Sequence, residues 1–205
     1  MGYTTDFDGH FTFSRTLTEE EKKYINTFSE TRRMKRDTNK LQKQYQGKYG
    51  FNGQYGNDGE YFIGGQGYKS GVNGESESII DHNTPPGQVP YKDKLQYKDY
   101  WAENETRIKQ GLCQPGLWCQ WVISDDGTKL EWNGSEKFYY YTEWLKYLIK
   151  HFFSVWNIHL NGEILYQGEE KKDKGNILII NNTVYLNMNI KDIRKLKLDN
   201  IEETL

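Results

Sequence analysis

Residues 116–153 read GLWCQWVISDDGTKLEWNGSEKFYYYTEWLKYLIKHFF. Trp118–Ile123 alternates, setting Trp118, Gln120 and Val122 on one side and Cys119, Trp121 and Ile123 on the other, the period of a half-buried strand. Asp126-Gly127 is a hairpin turn signal, and Lys129–Trp132 supplies the return strand. Asn133-Gly134-Ser135 makes a break. From about Tyr139, the residues Tyr141, Leu145, Leu148, Ile149 and Phe152 recur at helical spacing, with Trp144 on their flank. A hairpin feeding an amphipathic helix gathers Trp118, Trp121, Trp132 and Trp144, with Trp156 just beyond. This block is expected to be the centre of the core.

The pattern upstream starts with a strand over residues 3–13, in which Phe7, Phe11 and Phe13 share a face. Thr18 followed by Glu21 fits a capping box, and Tyr24, Ile25 and Phe28 form the apolar side of the helix it starts. Downstream, Asn161-Gly162 and Asn181-Asn182 read as hairpin turns, so the chain ends in an antiparallel meander. Residues 190–201 suggest a short terminal helix or a tail. The order of strand, helix, hairpin, helix and meander predicts an α+β fold, an antiparallel sheet with helices packed mainly on one face. A single domain over residues 1–187 is expected, with insertions at about 45–75 and 88–114, then a tail at 188–205.

The insertions carry weaker signals. Residues 45–74 hold ten of the 20 glycines and read as a Gly/Tyr loop with a short strand at Glu60–Gly64. Gly64-Gly65-Gln66-Gly67 is only a faint likeness to a phosphate loop. Ser78–Asn83 suggests a strand stopped by Pro85-Pro86-Gly87. Residues 91–110 suggest a helix with a thin apolar face of Leu95, Trp101 and Ile108.

Aromatic residues make up 15% of the 205 residues, which compensates a hydrophobic fraction of only 35% because each ring buries a large area. The formal charge of −2 gives no global pull toward nucleic acid or membrane, so local charge has to carry any such argument. Cys113 and Cys119 match neither a redox pair nor a zinc half-site and read as small half-buried thiols. No apolar run approaches a membrane span and no signal peptide is present, so a cytoplasmic location is expected. Asp6 stands where myristoylation needs Ser or Thr.

The strongest functional cue lies in residues 32–48. They carry Arg32, Arg33, Lys35, Arg36, Lys40, Lys43 and Lys48 against Asp37 alone. If the first helix continues, Arg32, Arg36, Lys40 and Lys43 line up as a basic stripe suited to RNA or an acidic protein. The plainer reading is a solvated helix end whose charge suits the dipole. Four scattered histidines, His10, His82, His151 and His159, make no metal-ligand spacing. His82, within Asp81-His82-Asn83, and Glu136, between strand and helix, are the candidates for acid–base work, beside plainer turn and capping roles. No cofactor is expected.

The strings MGYTTDF, SETRRMKRD, GEYFIGG, SIIDHNTPPG, QPGLWCQW, EWNGSEKFYYYTEWLKYLI and ILYQGEE resemble a family of proteins encoded by tailed bacteriophages and prophages. The likeness covers most of residues 1–186, interrupted by the segment at about 88–114, and brings no catalytic residues with it. It implies a phage accessory protein of the kind that binds and blocks a host defence protein or ribonucleoprotein. Anti-CRISPR inhibitors of RNA-guided nucleases, RNA-targeting type VI systems included, belong to that class. The alternative is a small enzyme acting on a nucleotide or a modified host molecule.

Overall fold

The computed structural model describes residues 2–64, 80–90, 97–189, 191, 192, 194 and 195. Its centre is an antiparallel pair of nine-residue strands, β1 (Thr5–Phe13) and β6 (Leu160–Gly168), in unbroken register from Thr5↔Gly168 to Phe13↔Leu160. The short strands β4 (Trp121–Ile123) and β5 (Lys129–Trp132) extend the sheet on one side, and β7 (Lys174–Ile180) and β8 (Thr183–Leu186) on the other. The order is β4-β5-β1-β6-β7-β8, antiparallel throughout. A two-stranded ladder, β2 (Lys35–Arg36) with β3 (Ile80–His82), stands apart.

Alternation along β1 turns Phe7, Phe11 and Phe13 to one face, where the helices lie. Phe7 meets Trp121, Trp132 and Tyr141 edge-on at centroid distances of 5.5, 5.4 and 4.9 Å. Phe13 meets Phe153 at 5.1 Å. Helix α1 (Glu19–Glu30) buries Ile25 and Phe28 on this face, and helix α4 (Tyr141–Leu148) buries Trp144, Leu145 and Leu148. The chain is therefore α+β, with α1 and α4 on the face that Phe11 and Leu160 share. The opposite face carries Asp6, Asp8, His10 and Glu163 toward solvent.

The capping box forms as its spacing predicts: Thr18 Oγ1 accepts from the Glu21 N–H at 3.2 Å, and Glu21 accepts from the Thr18 N–H at 2.8 Å. Helix α1 also closes the β4 edge of the sheet. The Asn26 side chain accepts from the Ile123 N–H at 2.7 Å and donates to its carbonyl at 3.1 Å, and Ser29 Oγ donates to Trp121 O at 2.6 Å. An edge strand so covered offers no ladder to another chain.

After Leu148 the helix continues as a π turn, Ile149–Phe153, with the Ser154 N–H donating to Ile149 O at 2.8 Å. The extra residue brings both Phe152 and Phe153 fully into the core.

Three expectations are corrected. Helix α1 stops at Glu30: Thr31 is extended, and helix α2 (Thr38–Tyr45) starts afresh with Asp37 as its cap, accepting from Asn39 and Lys40 N–H groups. Glu60–Gly64 forms no strand. It is a turn that follows a short 3₁₀ helix at Asn57–Gly59, and Phe62 within it is fully buried beside Leu41 and Tyr55. Asn161-Gly162 is no hairpin turn but lies inside β6, where Gly162, at φ +135°, lets the chain approach within 3.0 Å of His10 O, measured from where a Cβ would sit. The turn of the meander is Asn181-Asn182 as read, both at positive φ (46° and 68°), the geometry of a primed hairpin turn.

Helix α3 (Tyr97–Lys109) fills the expected insertion, burying Ile108 and leaving Trp101 44% exposed. Leu95, Ser78 and most of the expected terminal helix lie outside the described residues. Among the described residues, no helix is long and apolar enough to cross a membrane.

Asn26→Ala should lower stability by roughly 1–3 kcal/mol, because it strands both the N–H and the C=O of Ile123. Urea unfolding should show the loss with an unchanged m-value.

Candidate functional site: an aromatic cleft beside a buried arginine

The basic cluster does not form a surface stripe. Arg33 is fully buried and Arg36 is 2% exposed. Ending α1 at Glu30 turns Arg33 inward, where its Nε donates to Gln114 Oε1 at 3.1 Å. Its Nη1 donates to Phe62 O at 2.8 Å and its Nη2 to Glu60 O at 2.6 Å. The guanidinium lies over the Phe28 ring at 4.0 Å. Burial, aided by the charge of Arg36, pulls its pKa down to about 10. Arg36 donates to the carbonyls of Met34 and Arg32 and lies over Phe62 at 5.1 Å. Both arginines are structural, and the reading of them as contact residues falls with the stripe.

Of the others, Lys35 is bound to Asp58 at 2.6 Å, Lys40 lies 3.6 Å from Asp37, and Lys48 lies over Tyr49 at 4.9 Å. Lys40, Lys43 and Lys48 remain exposed, on α2 and the loop beyond it. Arg32 leaves this group altogether: its Nε donates to Asn83 at 3.1 Å and its guanidinium lies 5.7 Å from the centre of the Trp118 ring.

That pairing sits in the wall of a cleft of about 970 Å³ between α3 and the turns at 115–120 and 133–140. Tyr100, Trp101, Trp118, Tyr139 and Tyr140 supply its aromatic surface, and Arg32, Lys137, Glu30 and Glu136 are its charged groups. Trp101 and Tyr139 are 44% and 52% exposed. Two bulky rim residues, Lys137 (φ 61°) and Tyr140 (φ 55°), stand in the left-handed region, a strain of roughly 1–3 kcal/mol each that concentrates at functional sites.

Two indoles hold this rim in place. Trp132 Nε1 donates to Gln120 Oε1 at 3.1 Å and Ser135 O at 3.2 Å, and Trp121 Nε1 to Tyr141 O at 2.9 Å. Gln120 Nε2 donates to Glu136 O at 3.0 Å.

The structure thus brings together Arg32, Trp118 and Glu136, and keeps Arg33, Arg36, Lys40, Lys43 and Lys48 out of the cleft. Tyr139, Tyr140 and Trp101 were not singled out as contact residues. A signal was present in the run Tyr139-Tyr140-Tyr141, since neighbours on a helix point about 100° apart and cannot all face one core. Asp81 and His82 fall in β3, His82 opposite Lys35, with their side chains outside the described set. Among the described residues, no group of three His, Cys, Asp or Glu side chains is placed to hold a metal ion.

Behind the cleft, a buried polar network joins Arg33 to α4. Gln114 Nε2 donates to Glu60 O at 2.7 Å and to Tyr147 Oη at 2.9 Å, and Tyr147 donates to Glu60 Oε2 at 3.0 Å. Burial raises the Glu60 carboxyl above its usual range. His151 stacks on Tyr147 at 4.2 Å, its Nδ1 2.9 Å from Tyr61 Oη. Burial and the neighbouring Lys150 lower His151 to about 4.

Arg33→Ala should cost about 3 kcal/mol or more, since Gln114 Oε1 and Phe62 O lose their donor and a cavity opens beneath Phe28, whereas Arg32→Ala should cost less than about 1 kcal/mol. Chemical denaturation of the two variants checks the contrast. The folded state holds His151 neutral while the unfolded chain protonates it near 6.5, so its contribution is complete above that pH and is lost as pH falls toward 4. Melting temperature followed from pH 7 to 4 should therefore drop less steeply for His151→Gln than for the native chain.

No protein-family model, curated protein or solved structure matches this chain, so its function is argued from the cleft itself.

Proposed function

We propose that this chain is a phage-encoded accessory protein that binds and inhibits a host defence protein, in the manner of an anti-CRISPR inhibitor of an RNA-guided nuclease, through the Trp118 cleft. The observation that carries the reading is the cleft's composition: two Trp, three Tyr and an Arg around one concave surface. Those residue types dominate protein–protein binding energy, because they bring large rigid area and directed polar groups at low entropic cost. The phage assignment is supported by the sequence resemblance, and the RNA-targeting type VI systems are one set of candidate targets.

The expected route through a basic helix gives way to a protein contact. A polyanion is held by many unopposed cations. Here Arg33 and Arg36 are buried, Lys35 is paired, and the cleft balances Arg32 and Lys137 against Glu30 and Glu136. Apolar area and hydrogen bonds carry binding in such a cleft, so a folded protein surface fits it better than an RNA strand.

The test is affinity capture of the tagged chain from its host, read by mass spectrometry and RNA sequencing together, with and without nuclease. A single host protein should be retained after nuclease treatment and lost by Trp118→Ala and Arg32→Ala, both folded by circular dichroism. Capture that depends on RNA, or that survives Trp118→Ala, would overturn the reading.

A further inference from the structure

Tyr139 gives the cleft a large ring, yet it is 52% exposed and belongs to a turn whose Lys137 and Tyr140 hold left-handed backbone. Core packing does not fix a side chain so placed. A hydrogen bond from a distant part of the chain does: the Tyr3 N–H donates to Tyr139 Oη at 3.0 Å, across 136 residues of sequence. Beside it, Gly2 lies against the stem of Lys137. A Cβ built on Gly2 would stand 2.7 Å from both Cδ and Cε of that lysine. The segment Gly2–Thr4, which leads into β1, therefore touches two residues of the cleft rim without lining the cleft itself.

The same segment is tied on its other side to the β6–β7 turn, Glu169–Asp173. Tyr3 Oη donates to Asp173 Oδ2 at 2.6 Å and accepts from the Glu170 N–H at 3.3 Å, and the Thr4 N–H donates to Glu169 Oε1 at 2.7 Å. Consecutive N–H groups thus serve opposite neighbours, Tyr3 the rim and Thr4 the turn. Gly168 makes room for this pairing. A Cβ there would collide with Asp173 Oδ2 and Tyr3 Oη, the far ends of two side chains, while its φ lies outside the left-handed region. The Tyr3–Asp173 contact, and not the backbone conformation, is what a side chain at the end of β6 would displace.

We propose that Gly2–Thr4 is a strap that presets the cleft for its partner, with Tyr3 as the positioning residue: its N–H holds the Tyr139 ring at the rim, and its hydroxyl anchors the strap to the β6–β7 turn. This rests on the reading of the cleft as the binding surface and adds to it the device that keeps one of its rings in place. Hydrogen bonds this exposed add little to the stability of the fold. A tyrosine side chain has only two rotatable bonds, so one such contact is enough to favour a single placement of its ring. A ring placed in advance loses less entropy when the partner arrives.

The experiment uses the full chain with tyrosine carrying ¹³C at its ring ε carbons, the Tyr139 signal being assigned by its absence in Tyr139→Phe. Tyr3→Phe removes the anchoring hydroxyl, and Gly168→Ala displaces it from a position that lines no part of the cleft. Both variants should move the Tyr139 signal, and each should lower the melting temperature by less than about 4 °C. Both should weaken capture of the host protein retained by the native chain about five- to tenfold, the value of one hydrogen bond. Combining them should weaken it no further, because both remove the same anchor.

A Tyr139 signal that stays in place in both variants would overturn the proposal, since the ring would then be held without the strap. Losses that multiply in the double variant, or a larger drop in melting temperature, would mark the segment as a brace of the fold and overturn it as well. If the signal moves and capture keeps its strength, the strap falls, while the cleft stands provided Trp118→Ala still abolishes capture. If Trp118→Ala leaves capture unchanged too, both readings fall.

Discussion

The constraint on which this structure depends is a buried positive charge with no carboxylate, among the described residues, bound directly to it. Arg33 is met by the carbonyls of Phe62 and Glu60, the amide oxygen of Gln114 and the face of Phe28. A guanidinium can sit in such a place because its charge is delocalised and its donors form a fixed fork that several acceptors share. Its partners come from three segments, so satisfying the cation brings together Phe28 of α1, the turn at 60–62 and the loop at 114. The Arg33 N–H also donates to Leu117 O at 2.9 Å. The wall of the Trp118 cleft is thus tied to a residue that lies just past the end of α1.

The segments that could be read from sequence are those whose order is local. The capping box, the alternation of β1 and β4–β5, and the apolar spacing of α4 each report contacts within a few residues or on one face of one element. Arg33 could not be read that way, because its side-chain acceptors lie 27 or more residues distant in sequence, and an arginine in a polar run carries no mark of burial. Asp37 did carry a mark. An acid followed by Thr38 and Asn39 is a helix start, and weighing it as a cap rather than as a lone counter-charge would have broken the stripe in two. Asn161-Gly162 and Asn181-Asn182 show the limit of a dipeptide signal. Both match a hairpin turn, and only the pairing of nine residues of β6 with β1 decides that the first lies within a strand.

Removing Arg33 and Arg36 from the surface changes what the molecule can hold. Seven cations over residues 32–48 suggest a strong local field. In the fold, two are buried, one is paired with Asp58, and one leans on Trp118. The exposed remainder, Lys40, Lys43 and Lys48, lies along α2 and beyond it, outside the cleft. Charge and aromatic surface are therefore separated, and the cleft depends on shape and apolar area.

The cleft also carries costs that packing alone does not require. Trp101 and Tyr139 keep large apolar area in water, and Lys137 and Tyr140 hold left-handed backbone. Each of these is tolerable alone, and scattered exposed aromatics are ordinary on a protein surface. Their coincidence along one concave wall is a different matter. That wall is held rigid by two indole–carbonyl hydrogen bonds and by the Gln120–Glu136 contact, so the strained turn cannot relax toward an ordinary conformation. A site held in this way loses little entropy on binding, because the cost of order has been met during folding. The core built by Trp121, Trp132 and α4 is the support that makes the strained and exposed residues beside it possible.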